Sequence, residues 1–211
     1  MKTIILTLVL LIPMFLLAQT VVEKYPDNPV LNVGPEGSWD EKAVVEPFVI
    51  VDGDTYKMWY GGFDGTNYRI GYATSPDGIN WTKAYDINPV LDLGEAYSWD
   101  DEVVSAPCVL FDGAIYRMWY NGSDGTNYRI GYATSPDGIN WTKNIEPVLD
   151  LGSEGRWDDE EVFAPSVVLY HEQYIMYYSG YDGESQPFSG NFKVVCGDLP
   201  QFSIFFKVYF Q

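Results

Sequence analysis

The segment DGTNYRIGYATSPDGINWTK occurs twice in this chain, at residues 64–83 and again at residues 124–143, without a single change. The similarity extends outward from it, because residues 28–83 align without a gap with residues 88–143. A third copy covers residues 146–183 and then stops. Repetition at a fixed period is typical of folds that are built from stacked copies of one unit. The repeat therefore decides the fold.

Each unit is predicted to form four short strands. In the first unit, Val-rich or alternating runs end at Asp52-Gly53, at Asp64-Gly65 and at Asp77-Gly78. Asp-Gly pairs between such runs are strong hairpin signals, and no helical period appears anywhere in the unit. A four-stranded antiparallel sheet that repeats around an axis is a propeller blade. The sequence predicts an all-β chain, a β-propeller of which about 2.5–3 blades are present.

The duplicated segment is predicted to be architecture rather than chemistry. Its turn carries Asp77, which can accept hydrogen bonds from turn amides, and a glycine that adopts backbone conformations other residues resist. Ser75 and Trp81 are expected to complete and cover the same turn. Apolar positions within the segment are expected to pack one blade on the next. They are Ile70, Tyr72 and Trp81 with their copies Ile130, Tyr132 and Trp141.

Both ends of the chain differ from the repeat. Residues 1–19 combine Lys2 with a short apolar run, which predicts a signal peptide and a secreted or periplasmic protein. The run is short for a bilayer span, so no stable membrane insertion is expected after cleavage. Residues 20–183 hold the predicted blades. Residues 184–211 form an atypical tail without an Asp-Gly turn, which we interpret as a truncation or frameshift or, alternatively, as a chain that assembles with other copies.

Composition excludes several classes of function. The formal net charge of −18 repels phosphate backbones, so nucleic acid is not an expected partner. His171 is the only histidine and there is no Gly-rich phosphate loop, so neither a metal site nor a cofactor is predicted. Two cysteines are too few for a disulfide framework, and Cys108 is expected to be a small buried hydrophobe.

One acid breaks the repeat. Glu46 precedes Pro47 at the start of a predicted inner strand, whereas the other two units carry Ala106 and Ala164 at the same place. An active site needs asymmetry, so Glu46 is a candidate catalytic carboxylate. The alternative is a glutamate that merely replaced an alanine on a solvated channel wall.

A second pattern places a tryptophan beside acids in every unit. Flat rings can stack on sugar C–H faces while carboxylates bond to hydroxyls, so we predict substrate binding by Trp39, Asp40, Trp99, Trp157 and Asp158. Hydrolysis of a glycosidic bond needs two carboxylates. Further catalytic candidates, chosen by position, are Asp100, Asp101, Asp159 and Glu160. The alternative for the triplicated Asp40, Asp100 and Asp158 is that they cap turns at the blade entrance.

The motifs EPFVIVDGDTYKMWYGG, APCVLFDGAIYRMWYNG and IGYATSPDGINWTK resemble the five-bladed β-propeller glycosidases. These are glycoside hydrolase families 43, 32 and 68, with the family 130 mannoside phosphorylases nearby. In that superfamily an acid–Pro step begins an inner strand, as Glu46-Pro47 does here, although the family base is commonly Asp. The resemblance implies a ring of five blades, so this chain would be an incomplete member.

The predicted function is that of a secreted, carbohydrate-active propeller that cleaves glycosidic bonds in poly- or oligosaccharides by carboxylate acid–base chemistry. Its expected partner is a carbohydrate. The alternative is a non-catalytic extracellular propeller for glycan binding or scaffolding, or an inactive fragment. Near-identical blades favour that alternative, because recently duplicated blades have little asymmetry.

Overall fold

A computed structural model describes residues 24–183 and 193–199, and all regular structure within them is β-strand. The predicted signal peptide at residues 1–19 lies outside the described residues. The strands are β1 (Ala43–Asp52), β2 (Thr55–Phe63), β3 (Tyr68–Ser75), β4 (Thr82–Lys83), β5 (Val103–Phe111), β6 (Tyr116–Ser123), β7 (Tyr128–Ser135), β8 (Thr142–Lys143), β9 (Glu161–Tyr170), β10 (Gln173–Tyr181) and β11 (Lys193–Leu199).

These strands form three antiparallel units that follow the sequence repeat. Blade 1 contains β1 to β4, and blade 2 contains β5 to β8. Blade 3 contains β9, β10 and β11. The first strands of the blades contact one another in turn, β1 with β5 and β5 with β9, which places them on the inner side. A single parallel pairing, Tyr68 with Val103, joins blade 1 to blade 2. The all-β propeller prediction is confirmed.

The tail provides the third strand of blade 3. Residues 184–211 lack the Asp-Gly turn and the tryptophan of the repeat, so the sequence predicts an atypical tail. Within them β11 pairs antiparallel with β10, from Gly180 opposite Lys193 to Tyr174 opposite Leu199. Backbone pairing therefore continues the blade where sequence similarity to the other units has ended.

The turns of the duplicated segment form as predicted. Asp77 Oδ1 accepts hydrogen bonds from the backbone amides of Asn80 at 2.7 Å and Ile79 at 2.9 Å. These bonds, with that from the Asn80 side chain, hold the pKa of Asp77 well below its usual range. Gly78 has a φ of 75°, and the Trp81 indole N–H donates to its carbonyl oxygen at 3.0 Å. The hydrogen bonds therefore favour the ionised carboxylate of Asp77, which holds the turn amides.

The core lies between blades, and the duplicated segment provides both of its sides. Ile70 and Tyr72 of blade 1 are buried against Val104 and Met118 of blade 2. From the other direction, the Trp141 ring lies edge-on to Trp59, with 6.2 Å between centroids. The prediction that these positions pack blade against blade is therefore confirmed for Ile70, Tyr72, Ile130, Tyr132 and Trp141. Trp81 instead packs against Met58 and Tyr60 of its own blade.

Polar side chains of the same segment connect each blade to the next. Asn67 Nδ2 donates to the carbonyl oxygen of Glu102 at 3.0 Å, and Asn127 Nδ2 donates to that of Glu160 at 2.8 Å. Arg69 of blade 1 bonds to Asp92 in the linker to blade 2. Because these contacts recur at successive junctions, an unchanged segment keeps the geometry between blades constant.

Gly71 is a position where a single methyl group is expected to disturb a blade. A Cβ there would lie 2.5 Å from Trp39 Cη2 and 2.7 Å from Tyr60 Cζ. We expect Gly71→Ala to lower the free energy of unfolding by about 1–3 kcal/mol, the usual cost of overpacking. Urea denaturation measures this. Gly61→Ala is the control, because its nearest atom is 3.2 Å away; equal losses in the two variants would contradict the prediction.

Candidate functional site

The three tryptophans beside acids pack inside their own blades. Each ring is half-buried and lies against a tyrosine of the second strand. The centroid distances are 5.7 Å for Trp39–Tyr60, 5.9 Å for Trp99–Tyr120 and 5.6 Å for Trp157–Tyr178. Glycines allow this approach, since a Cβ at Gly62, Gly122 or Gly180 would come within 2.2 Å of the respective ring. These rings thus have a structural role, and their predicted contact with sugar stays a prediction.

The aspartates that follow the tryptophans are also held by their own blades. Asp40 is buried, and its Oδ2 accepts hydrogen bonds from Lys83 Nζ at 2.5 Å and from the Tyr60 hydroxyl at 3.2 Å. Asp100 has the same partners in blade 2, with Lys143 Nζ at 2.8 Å. Burial, reinforced by the Asp40 charge, raises the pKa of Tyr60 above its usual range. These contacts give Asp40 and Asp100 a structural role inside the blade, with partners on its strands rather than in a turn, so turn capping stays a prediction.

Blade 3 retains part of this arrangement. Asp158 Oδ2 accepts a hydrogen bond from the Tyr178 hydroxyl at 3.3 Å. Burial and the Asp158 carboxylate raise the pKa of Tyr178 to about 12. Residue 201, where alignment would place the third lysine, is Gln201 and lies outside the described residues.

The other predicted catalytic acids lie in the loops just before the first strands of blades 2 and 3. They are Asp101, before β5, and Asp159 and Glu160, before β9. Asp101 Oδ2 accepts a hydrogen bond from the Tyr97 amide at 2.7 Å, and Asp159 Oδ2 accepts one from the Gly155 amide at 2.5 Å. Glu160 is exposed just before β9. None of the hydrogen bonds or ion pairs found among the described residues joins Asp100, Asp101, Asp159 or Glu160 to Glu46. The catalytic roles predicted for these four acids stay predictions.

Glu46 lies on a bulge that recurs in every blade. Its φ is 50°, and the equivalent Ala106 and Ala164 have φ values of 47° and 55°. Each precedes a proline, and the pairing register shifts at this point in all three blades. A left-handed conformation costs a non-glycine residue energy and is enriched at functional sites. The same strained bulge therefore lies near the start of the inner strand in each blade, which makes this end of the strands a candidate location for a functional site.

A side-chain oxygen supports the bulge of each following blade. Glu46 Oε2 accepts a hydrogen bond from the Ala106 amide at 2.9 Å. One blade further on, Asn121 Oδ1 accepts the corresponding bond from the Ala164 amide at 2.8 Å. A glutamate on the first strand of blade 1 and an asparagine on the second strand of blade 2 thus each accept a hydrogen bond from the bulge of the following blade. We call this contact the bulge strut.

The two forms of the bulge strut require different neighbours. Gly61 is the blade 1 equivalent of Asn121, and a Cβ there would lie 3.6 Å from Glu46 Oε2 and 3.2 Å from Val45 Cγ2. In blade 2 the smaller Ser105 replaces Val45. Blade 1 therefore differs from blade 2 at three neighbouring positions, Val45, Glu46 and Gly61, and all three differences concern how the bulge strut is made.

A second asymmetric carboxylate, Glu161, lies at the first residue of β9. The aligned positions carry Val103 and Ala43. Glu161 is half-buried, and burial, with a further contribution from the Glu160 charge, raises its pKa above the usual value. A raised pKa is the property that a general acid of this kind needs.

Tyr128 connects the two asymmetric carboxylates. Burial raises the pKa of Tyr128 most strongly, followed by the charges of Glu161 and Glu46. Both carboxylates are therefore close enough to act on one phenol. The Tyr128 ring lies 6.5 Å from that of Phe163 on β9. We define the candidate site as Glu46, Tyr128 and Glu161.

The sequence contained a signal for both residues that the prediction missed. Glu161 and Asn121 differ from their aligned partners as clearly as Glu46 does. Glu161 directly follows Asp158, Asp159 and Glu160, and this run of acids conceals its difference from the other units. The role of Asn121 depends on which side chain meets the bulge of the next blade, and a sequence does not show this. Comparison at every aligned position, rather than at the pre-proline position alone, identifies them.

Three further features bear on function, namely groups that could bind a metal ion, the thiol of Cys108 and helices that could span a membrane. Within residues 24–183, no group of three or more His, Cys, Asp or Glu residues is arranged to hold a metal ion. Cys108 is a buried free thiol that accepts a hydrogen bond from the Val167 amide, and burial raises its pKa. No helix in the described part of the chain is long and apolar enough to span a membrane.

Three curated proteins illustrate the sequence similarity. An uncharacterized protein of Mycobacterium tuberculosis is 36% identical over 67% of this chain and 48% of its own length. An A type blood N-acetyl-alpha-D-galactosamine deacetylase of Flavonifractor plautii is 26% identical over 63% of this chain and 18% of its own. A 1,2-beta-oligomannan phosphorylase of a Thermoanaerobacter species is 28% identical over 72% and 54%. The chain spans about half the length of most curated relatives it matches, and no family model matches it.

Solved structures share the fold. A family 117 glycoside hydrolase from Zobellia galactanivorans superposes with a TM-score of 0.62 at 20% identity, over 80% of this chain and 55% of that one. A thermostable family-43 glycoside hydrolase superposes with a TM-score of 0.56 at 16% identity, over 79% and 51%. The resemblance seen in the motifs is thus confirmed at the level of fold, and the chain is a β-propeller of the type found in glycoside hydrolases of families 43 and 117.

Proposed function

We propose that this chain is part of a secreted, carbohydrate-active propeller that hydrolyses glycosidic bonds. The observation that carries the proposal is the pair of asymmetric carboxylates, Glu46 and Glu161, at one end of the inner strands. The aligned positions of the other blades carry no acid, and the charges of Glu46 and Glu161 both act on Tyr128. Relatives that act on sugars, and glycoside hydrolases of the same fold, support the choice of carbohydrate as substrate.

The environments of the two carboxyl groups support different roles for them. Glu161, whose pKa is raised by burial, would protonate the glycosidic oxygen as the bond from that oxygen to the anomeric carbon breaks. Glu46 is exposed and would act from the other side, as nucleophile or as the base that deprotonates an attacking water. The charges of both carboxylates act on Tyr128, whose hydroxyl can donate a hydrogen bond to a carboxylate or to a sugar.

Replacement of the proposed acid tests this function. We expect Glu161→Gln to lower kcat by about 10²–10⁴-fold, the usual contribution of a general acid, with little change in KM. The assay uses arabinan, xylan, fructan and mannan, and β-1,2-linked oligomannan with and without inorganic phosphate because one relative is a phosphorylase. Glu102→Gln, at the exposed position of blade 2 that aligns with Glu160, is the matched control. Equal activity of Glu161→Gln and wild type would overturn the assignment.

The same variant has an expected effect on stability. The folded-state pKa of Glu161 is raised, so the folded protein binds this proton more tightly than the unfolded chain does. The carboxyl group therefore destabilises the fold progressively as pH rises above its unfolded value of about 4.5. We expect Glu161→Gln to raise Tm at pH 7 and to have no such effect at pH 4. Thermal unfolding across this range measures it, and a constant difference would contradict the raised pKa.

A second function is favoured by the bulge strut. Glu46 has a structural partner in the Ala106 amide, and Asn121 makes the same contact without any carboxylate. A propeller that binds glycans without cleaving them would need Glu46 only for this contact. Isothermal titration with the same polysaccharides separates the two functions: binding without turnover by the wild type supports the non-catalytic one.

A further inference from the structure

Two matching clefts lie away from the Glu46–Tyr128–Glu161 site, one at each copy of the duplicated turn. The first has a volume of about 490 Å³ and is formed by the linker before blade 2 and the outer part of blade 2. Its lining residues are Ile87, Pro89, Val90, Ile139, Asn140, Trp141 and Thr142. The second, of about 360 Å³, is formed in the same way in blade 1 by Tyr25, Asp27, Pro29, Val30, Ile79, Asn80, Trp81 and Thr82.

The lining of the first cleft combines one ring with uncharged polar groups. Trp141 offers a flat apolar surface, while Asn140 and Thr142 are exposed and can donate or accept hydrogen bonds. No ionisable side chain lines this cleft, although the protein as a whole carries a formal charge of −18. Its volume falls within the range of small-molecule sites. This chemistry fits a ligand that is neutral, hydroxyl-rich and apolar on one face.

The polar groups of the cleft are held in place before any ligand arrives. Asn140 Nδ2 donates to Asp137 Oδ2 at 2.7 Å, and Asp137 Oδ1 accepts from the amides of Asn140 and Ile139. The side-chain oxygen of Asn140 and its second amide hydrogen remain for a ligand. The Trp141 N–H is fixed on Gly138 at 3.1 Å. A site ordered in this way loses little entropy when it binds.

We propose that these two clefts are binding sites for neutral glycan chains on the outer rim of the propeller. Each site offers a tryptophan face for sugar C–H groups, with an asparagine and a threonine for hydroxyls. Two sites on one chain would let a polysaccharide engage both, so weak individual binding would add up. The proposal does not depend on catalysis by Glu46 or Glu161.

The two linkers supply a matched test. Ile87 lines the first cleft and is 44% exposed, whereas Ile145, its equivalent in the next linker, is 89% exposed and lines neither cleft. Arginine at position 87 would fill the cleft, and arginine at position 145 would not. The probes are soluble neutral xylan and mannan, with polygalacturonate as the acidic counterpart, measured by affinity electrophoresis and by titration calorimetry on the full chain.

We expect the wild type to be retarded by at least one neutral polysaccharide and not by polygalacturonate. Ile87→Arg should weaken that binding at least five-fold, Ile87→Arg with Asp27→Arg should weaken it further, and Ile145→Arg should leave it unchanged. Absence of binding to the neutral probes, equal loss in the Ile87 and Ile145 variants, or equal binding to polygalacturonate would overturn the proposal.

Discussion

The triple variant Val45→Ser, Glu46→Ala, Gly61→Asn is expected to fold as the wild type does and to have lost its activity. It gives blade 1 the set of residues that blade 2 carries at Ser105, Ala106 and Asn121. The introduced asparagine would take over the bond to the next bulge amide, as Asn121 does at 2.8 Å. The carboxylate is removed while the bulge strut is kept, so the structural and catalytic roles of Glu46 become separable.

Single variants complete the experiment. Glu46→Gln retains an oxygen for the Ala106 amide, so Tm should change little while kcat falls by about 10²–10⁴-fold. Glu46→Ala removes the bulge strut as well and should also cost about 1 kcal/mol of unfolding free energy, the usual value of one hydrogen bond. Asn121→Ala is the control for that loss, because it breaks the equivalent contact without removing a carboxylate.

Thermal unfolding and hydrolysis assays on the same preparations decide the outcome. If the triple variant keeps wild-type kcat, Glu46 serves only as a bulge strut and the catalytic proposal fails. If the triple variant unfolds while Asn121→Ala does not, the two bulge struts are not equivalent. A loss of activity in the folded triple variant supports the role of Glu46 in the reaction.

The fold could be predicted from the sequence because its signals are local and repeated. Asp77 specifies a turn through its side-chain oxygen and Gly78 through its positive φ, and Ile70 and Tyr72 fall at the same place in two units. The pairing of β11 with β10 was not predictable in this way. Its residues share no motif with the other blades, and backbone hydrogen bonding carries no signature in the side chains.

The candidate site could be predicted only in part. Glu46 was found because it differs from two alanines, and a difference between aligned residues is visible in a sequence. Its bond to Ala106 joins residues 60 positions apart in different blades, which no local pattern encodes. The roles of Asp101 and Asp159 as acceptors for amides of their own loops likewise depend on loop geometry. The sequence shows which residues are unusual, and the packing of the blades determines what they contact.

The largest effect on stability is expected from Asp40→Asn. Asp40 and Lys83 form an ion pair at 2.5 Å with side-chain exposures of 2% and 5%. Without the carboxylate, the Lys83 ammonium would be buried without a compensating charge, which typically costs about 3–5 kcal/mol. Tyr60 would also lose a charged acceptor for its hydroxyl. Urea denaturation at pH 7 measures the change in the free energy of unfolding.

The repeat provides graded controls for this prediction. Asp100→Asn should cost less, because its partner Lys143 is 21% exposed and water can solvate it. Asp158→Asn should cost least, since Tyr178 is its hydrogen-bond partner among the described side chains. The double variant Asp40→Leu, Lys83→Met removes both charges and should recover much of the stability that Asp40→Asn loses. Equal losses at the three aspartates would mean that the lysines do not determine the effect, and burial of the charge pair would then not explain the stability of the blade.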